Sequence, residues 1–395
     1  MNTVDYPLVN HEMVANSPYF APLLPWQQEL WQRLTMRVDR LPHGLLFAGM
    51  AGIGKHAFVW RLIAWLLCHN RGQHAEGACG CCDSCLWLAS ATHPDLIVLP
   101  QESQIIEIEA QDADGKGQKK NLNQSSKSMH KKVSSADNTA IGKIKVDDIR
   151  ALQPFVNQGS HGRRICVIDY ADTMTVAAAN ALLKTLEEPK AGVYLILISD
   201  RPAKLLATIK SRVQQIPITQ FSASCAQTFL TEQIIKQQQI QSSKSSDRVE
   251  GGQPEAAKQI ATQLLAIADG APLKALAFFD APWYGLRQLW LITWRALQYG
   301  KRSSIAASDY WQTQLDLTDF LQLTQVMIND LQRLKLGIAP KQQDIDFEQL
   351  TALMDKPFEK WIQLQHNIDD MKISIGQNVQ EKLIYDELMQ QLATI

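Results

Sequence analysis

The sequence predicts an α/β fold, a parallel sheet covered by helices, that gives way along the chain to purely helical structure. Three observations carry this. Short apolar runs at 45–48, 96–99, 164–169 and 193–198 alternate with helical patterns, as in a parallel sheet whose crossovers are helices. The first run leads into a glycine-rich loop, Gly49-Met-Ala-Gly52-Ile-Gly54-Lys55-His56, which opens a helical pattern at 57–67. From Ala281 onward no strand pattern survives, and apolar residues fall at helical spacing.

The elements follow in order. Trp26 to Val38 is an amphipathic helical pattern, and Leu41-Pro-His-Gly44 turns the chain into the first strand. Helices are predicted at 147–158 and 174–188, between the later strands. The Gln-, Lys-, Ser-, Asn- and Asp-rich stretch 101–142 interrupts them and is expected to be a disordered surface insertion. These parts make a first domain, 1–218. A mainly helical section follows as a small domain, 219–280, broken by a loose Ser/Gly/Lys-rich stretch at 241–254. The remainder, 281–395, is a third, all-helical domain. There Phe320, Leu323, Met327, Leu331 and Leu334 form one face before Gly337 as a C-cap. Trp283, Trp290 and Trp294 are expected to pack its core, a subunit interface being the other reading.

A length of 395 residues fits two or three domains. Lys and Arg number 39 against 40 Asp and Glu, a formal charge of −1, which excludes the overall basicity of a dedicated DNA-coating protein. Residues 1–16 are polar and acidic without a signal pattern, and no apolar run approaches the ~18 residues that cross a bilayer. A soluble, cytoplasmic protein with no membrane contact is expected.

The glycine-rich loop matches Gly-x-x-x-x-Gly-Lys-[Ser/Thr] up to its last residue. In that pattern the backbone N–H groups cradle phosphates, the lysine reaches the outer ones and the hydroxyl holds Mg²⁺. His56 supplies no such hard oxygen. Turnover also needs an acidic pair at the end of a neighbouring strand. Asp169 can stand on the metal side, but Tyr170 occupies the place of the water-polarising glutamate, and Asp172 reaches the site only if the turn bends unusually. Gly49, Gly52, Gly54, Lys55 and Asp169 therefore make a degenerate nucleotide site, able at most to hold ATP weakly and expected not to hydrolyse it.

Five of the seven cysteines crowd between 68 and 85. Cys79-x-x-Cys82-x-x-Cys85 gives thiolates at chelating spacing, and Cys68 closes a tetrahedral set for one structural zinc ion. Such sites contribute ~10–16 kcal/mol of apparent binding. Cys81 is left outside the set, with His69 and His74 as weaker alternatives. Arg212, in Ser211-Arg212-Val213, reads from the residues alone as an ordinary surface arginine.

The run Ala178-Ala-Asn-Ala-Leu-Leu-Lys-Thr-Leu-Glu-Glu-Pro189 resembles the helix after the acidic motif in bacterial clamp-loader subunits. Further features recur in the same order over roughly residues 20–280. They are Pro42-His-Gly44, the four-cysteine insertion, His93-Pro-Asp95, Leu205-Leu-x-Thr-Ile-x-Ser-Arg212 and Gly270-Ala-Pro272. The resemblance implies an AAA+ nucleotide-binding domain, a small helical lid and a helical collar. It implies a pentameric ring with the gamma/tau motor subunits and delta, loading the sliding clamp onto primed DNA for DNA polymerase III, a nucleotidyltransferase holoenzyme. Motor subunits keep intact loop and acidic motifs, so the losses here imply a non-motor member without ATPase activity of its own. Arg212 then becomes a trans arginine finger into a neighbouring motor subunit's ATP site, and Cys68, Cys79, Cys82 and Cys85 the expected zinc ligands. Val213 replaces the motif's cysteine, Lys274 stands where active relatives place a sensor arginine, and 101–142 has no counterpart. The alternatives are a self-sufficient ATPase using Lys55, Asp169 and Asp172, or a zinc-containing DNA-binding adaptor.

Overall fold

A computed structural model describes residues 17–71, 77–100, 143–158, 162–218, 221–244, 254–347, 357–375 and 379–395. The expected insertion at 101–142, His74, and 245–253 of the second loose stretch lie outside the described residues. The chain divides into two bodies, with the change between Cys225 and Ala226.

The first body is built on a parallel sheet. Its strands are β1 (Gly44–Ala48), β2 (Leu96–Leu99), β3 (Arg164–Ile168), β4 (Val193–Ser199) and β5 (Gln214–Pro217), in the spatial order β2-β3-β4-β1-β5. Every residue of β1 is buried, as a central strand covered on both faces requires. The helices of this body are α1 (Gln28–Thr35), α2 (Lys55–Leu67), α3 (Asp83–Ala89), α4 (Val146–Ala151), α5 (Gln153–Asn157), α6 (Val176–Glu187) and α7 (Ala207–Lys210). One core cluster joins Leu46 and Leu195 of the sheet to Leu182 and Leu186 of α6 and Ile149 of α4. Thr175 caps α6, its hydroxyl accepting from Ala178 N at 3.2 Å.

Two departures from the sequence reading have plain causes. The helix expected over 147–158 breaks at Leu152, because Pro154 enters the first turn of α5 and has no N–H to continue the ladder of α4. Strand β5 was not anticipated. It is an edge strand with a single buried side chain, Ile216, and so lacks an apolar run to mark it.

The second body is helical. Helix α8 (Ala223–Lys244) enters it across the division and runs on into the stretch expected to be loose. There follow α9 (Pro254–Ile267), α10 (Pro272–Asp280), α11 (Arg287–Gln298), α12 (Ser304–Gln314), α13 (Leu317–Lys335), α14 (Phe358–Ser374) and α15 (Glu381–Thr394). One apolar cluster takes in Leu264 of α9, Trp290 and Trp294 of α11, Phe320 and Met327 of α13, Trp361 of α14 and Leu388 of α15. Trp283, Trp290 and Trp294 are each 1 % exposed, so they pack a core, as their spacing predicts. Gly337 closes α13 as expected: Ile338 N donates to Arg333 O at 2.8 Å and Gly337 N to Leu334 O at 2.9 Å. Among the described residues no helix is long and apolar enough to cross a membrane.

Candidate functional site

The glycine-rich loop leaves β1 at the C-terminal edge of the sheet and ends at the N-terminus of α2. Gly52 (φ 79°) and Gly54 (φ 82°) adopt left-handed backbone conformations, which a side chain would oppose. The carbonyls of the loop are tied from behind: Trp26 Nε1 donates to Ile53 O at 3.0 Å and Gln27 Nε2 to Gly54 O at 2.9 Å. The backbone is thus shaped as a phosphate cradle, and the charged groups decide what it holds.

Lys55 is only 1 % exposed. Its Nζ donates to Met50 O at 3.1 Å and forms an ion pair with Asp200. Register explains the partner, because β4 lies beside β1 with Ser199 opposite Ala48, and the next residue, Asp200, emerges next to the loop. The residue in place of the metal-binding hydroxyl behaves similarly. His56 Nε2 lies 2.9 Å from Asp169 Oδ1, and its ring packs on Tyr170 with centroids 5.2 Å apart. Asp169 Oδ1 also accepts from Tyr170 N at 2.8 Å. Asp172 accepts from Ser199 Oγ at 2.8 Å. Gly49, Gly52, Gly54, Lys55 and Asp169 therefore do come together, but lysine and carboxylate are both engaged by other residues of the chain.

The second constellation lies where α2 gives way to α3. Cys68 is the C-cap of α2, Cys82 the N-cap of α3, and Cys85 stands in the first turn of α3. With Cys79 these thiols lie within 4.8 Å of one another. The Sγ separations of 3.9 Å (Cys68–Cys82), 3.9 Å (Cys79–Cys85) and 3.5 Å (Cys82–Cys85) can be set against ~3.8 Å, the edge of a tetrahedron with ~2.3 Å metal–sulfur bonds. Cys79 N donates to Cys68 Sγ and Cys82 N to Cys79 Sγ, both at 3.4 Å. Burial works against ionisation of Cys79, but hydrogen bonds from the backbone of Cys81 and Cys82 outweigh it and bring the thiol down to about 6. Burial raises Cys68 and Cys85, so their ionisation requires a nearby cation. The donor set fits a divalent, thiophilic metal ion. Cys81 is exposed and outside the tetrad, and the His69 ring packs edge-on to Trp87.

His93 anchors this module to the sheet. Asp95 N donates to His93 Nδ1 at 3.1 Å, which places the ring proton on Nε2, 2.9 Å from Ser84 Oγ. The Ser84 hydroxyl donates in turn to Leu67 O at 2.8 Å, and burial holds the imidazole neutral by lowering its pKa. Asp95 meanwhile accepts from Arg164 Nε at 3.2 Å, and its carbonyl accepts from Ile165 N at 2.9 Å.

Arg212 follows α7 and precedes β5. Its Nε donates to Glu187 Oε1 at 2.6 Å and its Nη1 to Thr208 O at 3.0 Å. The side chains of Arg212 and Glu187 are 34 % and 48 % exposed, so the guanidinium is tethered at the surface.

A family model described as "DNA polymerase III, delta subunit" matches residues 26–222. The subunit delta' of Pseudomonas aeruginosa is 34 % identical over 258 residues, 65 % of this chain and 61 % of that relative. The subunit delta' of Escherichia coli is 28 % identical over 218 residues, 54 % of each chain. The chain belongs to the delta-prime family of DNA polymerase III subunits. It spans less than two thirds of the length of these relatives. The gamma/tau subunit of Mycobacterium tuberculosis is also similar, 28 % identical over 195 residues, 48 % of this chain and 27 % of the relative. Among solved structures, a gamma-subunit-related protein from Thermotoga maritima covers 93 % of this chain and 99 % of its own at 15 % identity and a TM-score of 0.39, too distant to add to the topology above. With a glycine-rich loop joining β1 of a parallel sheet to the N-terminus of α2, the first body has the arrangement of a P-loop domain.

Three residues of the site escaped the sequence reading: Asp200, Gln27 and Ser84. Gln27 and Ser84 are polar residues beside apolar patterns, and each is 1 % exposed or less. Asp200 left one signal, as a carboxylate directly after a buried strand, where α/β proteins concentrate their ligand-facing residues.

Proposed function

We propose that this chain is a non-hydrolysing subunit of a DNA polymerase III clamp loader, supporting ATP-dependent loading of the sliding clamp onto primed DNA. Its partners on this reading are gamma/tau motor subunits and delta, in the cytoplasm. Residues 1–218 serve as the AAA+ domain, 219–280 as a lid and 281–395 as a collar that assembles the ring. Cys68, Cys79, Cys82 and Cys85 hold one structural zinc ion, which closes the turn between α2 and α3.

The observation that carries the reading is the state of the loop. Lys55 is engaged by Asp200 and His56 sits on Asp169, while Tyr170 stands where turnover needs a carboxylate. Nothing in the geometry favours a self-sufficient ATPase, because Asp172 is also engaged, by Ser199. The chain's contribution is then made to a neighbour, through Arg212. Freeing Arg212 from Glu187 costs little, since exposed ion pairs are worth about 0–1 kcal/mol. A trans arginine of this kind is worth about 10³–10⁵ in rate at the site it completes.

The test is Arg212→Ala in a complex reconstituted with motor subunits and delta. Assembly by gel filtration should be unchanged and DNA-stimulated ATP hydrolysis lowered. Undiminished hydrolysis by the mutant complex would remove Arg212 from the mechanism.

A further inference from the structure

Three motifs that lie far apart in the sequence meet at one place in the first body: Pro42-His43-Gly44, the end of α6 at Glu187-Glu188-Pro189, and Ser211-Arg212-Val213. Neither the phosphate loop nor the cysteine module accounts for the first of them. His43 is pinned twice. Its carbonyl accepts from Leu195 N at 2.6 Å, and its Nε2 donates to Leu186 O at 2.8 Å, across 143 residues. Gly44 has no room for a side chain: a Cβ there would meet Leu186 Cδ2 and Val213 Cγ1, each at 3.3 Å, and Arg212 O at 3.4 Å. Leu186 and Val213 are 2 % and 7 % exposed, so the residues flanking Glu187 and Arg212 are sealed against the start of β1.

Glu187 and Arg212 themselves turn outward and bond each other. Arg212 Nε and Nη2 lie 2.6 Å and 2.5 Å from Glu187 Oε1, while Nη1 donates to Thr208 O at 3.0 Å. Glu187 is the last residue of α6 and Glu188 its C-cap, the end at which the helix dipole disfavours negative charge. The helix gains nothing from Glu187, and the compensating partner is Arg212.

We propose that His43, Gly44 and Glu187 are the positioning residues of Arg212, a platform that fixes its backbone and aims its guanidinium at the phosphates of a neighbour's nucleotide. Their role rests on the proposed trans function of Arg212. An unrestrained arginine samples many rotamers, and a small misplacement of a group that acts on a transition state costs heavily in rate. The close approach of Gly44 to Arg212 O sets where the side chain starts, and Glu187 holds the Nε edge of the guanidinium. Because the guanidinium is a planar fork, Nη1 can turn from Thr208 O to a phosphate oxygen while Nε stays on the carboxylate.

The test measures DNA-stimulated ATP hydrolysis by the complex reconstituted with motor subunits and delta. Glu187→Gln keeps the length of the side chain and removes its charge. It should lower kcat by about three- to fivefold, the upper span of an exposed ion pair, with KM for ATP and assembly by gel filtration unchanged. Glu188→Gln should change nothing, which separates positioning of Arg212 from loss of charge at the helix end. Gly44→Ala should lower kcat at least as far as Glu187→Gln. In the Arg212→Ala background neither variant should lower it further, because both act through the guanidinium. An unchanged or raised kcat in Glu187→Gln, beside a slow Arg212→Ala complex, would overturn the platform and leave the trans arginine standing. Additive losses in the double variants would do the same, whereas full hydrolysis by the Arg212→Ala complex would overturn both.

Discussion

His93 gives the sharpest test of how the cysteine module is fixed to the sheet. His93→Ala removes the Nε2 hydrogen bond to Ser84 Oγ (2.9 Å), leaves Asp95 N without its Nδ1 acceptor (3.1 Å), and deletes an edge-on contact with Trp87 at 5.8 Å. Each neutral hydrogen bond is worth about 1 kcal/mol, and the aromatic contact about 0.5–1.5 kcal/mol. Trp87 is 41 % exposed, which sets the contact at the lower end. The sum is roughly 2.5–3 kcal/mol. For a body of this size that corresponds to roughly 5–10 °C in the melting transition. The assay is calorimetry of the zinc-loaded chain, following the transition assigned to the first body, with Ser84→Ala and the double variant completing a cycle. Ser84 and His93 share one hydrogen bond, so the two losses should fall short of additivity by about 1 kcal/mol. A shift under ~2 °C, or strict additivity, would mean that the relay from Leu67 to Asp95 does not hold the module.

The tetrad and the helical body make further predictions. Cys82→Ser should abolish stoichiometric zinc retention and, like a strong chelator, lower the melting temperature of the first body; Cys81→Ser should do neither, as a metal assay and a melt would register. Burial, with the Asp316 carboxylate alongside, raises Asp319 from 3.8 to about 6. A carboxyl raised in the folded state is protonated there more readily than in the unfolded chain, so stability falls as pH rises through 3.8 to about 6 and stays low above. The shift alone would amount to ~3 kcal/mol, reduced to about 1 by solvent screening and by the helix N-terminus favouring a negative charge. Asp319→Asn should therefore raise the melting temperature at pH 7.5 and leave it unchanged at pH 3.5; an equal gain at both would refute the cause assigned.

Much of the candidate site was legible because its chemistry is local in sequence. A cradle needs its glycines and lysine within eight residues, and three of the four thiols follow one another at i, i+3 and i+6, so both patterns survive without knowledge of the fold. The buried strands announced themselves as apolar runs, whereas β5 did not, since Gln214 and Gln215 face solvent at the sheet edge and only its pairing with β1 makes it a strand. Pro154 marks the break between α4 and α5, but Ile149, Leu152 and Val156 keep helical spacing across it and mask it in the pattern.

What the sequence determined by itself was the identity of the parts: a phosphate loop without its hydroxyl, a strand-end acid followed by tyrosine, and a thiol set of chelating spacing. Only the tertiary structure decided what those parts touch. Lys55 and Asp200 are 145 residues apart, and no local pattern links them. Their pairing follows from β4 lying against β1 in a register that sets Ser199 opposite Ala48. The same holds for His56 and Asp169, 113 residues apart, which meet because β3 lies one strand beyond β4. Residue type fixes which charges a chain carries, whereas strand order fixes which of them neutralise one another.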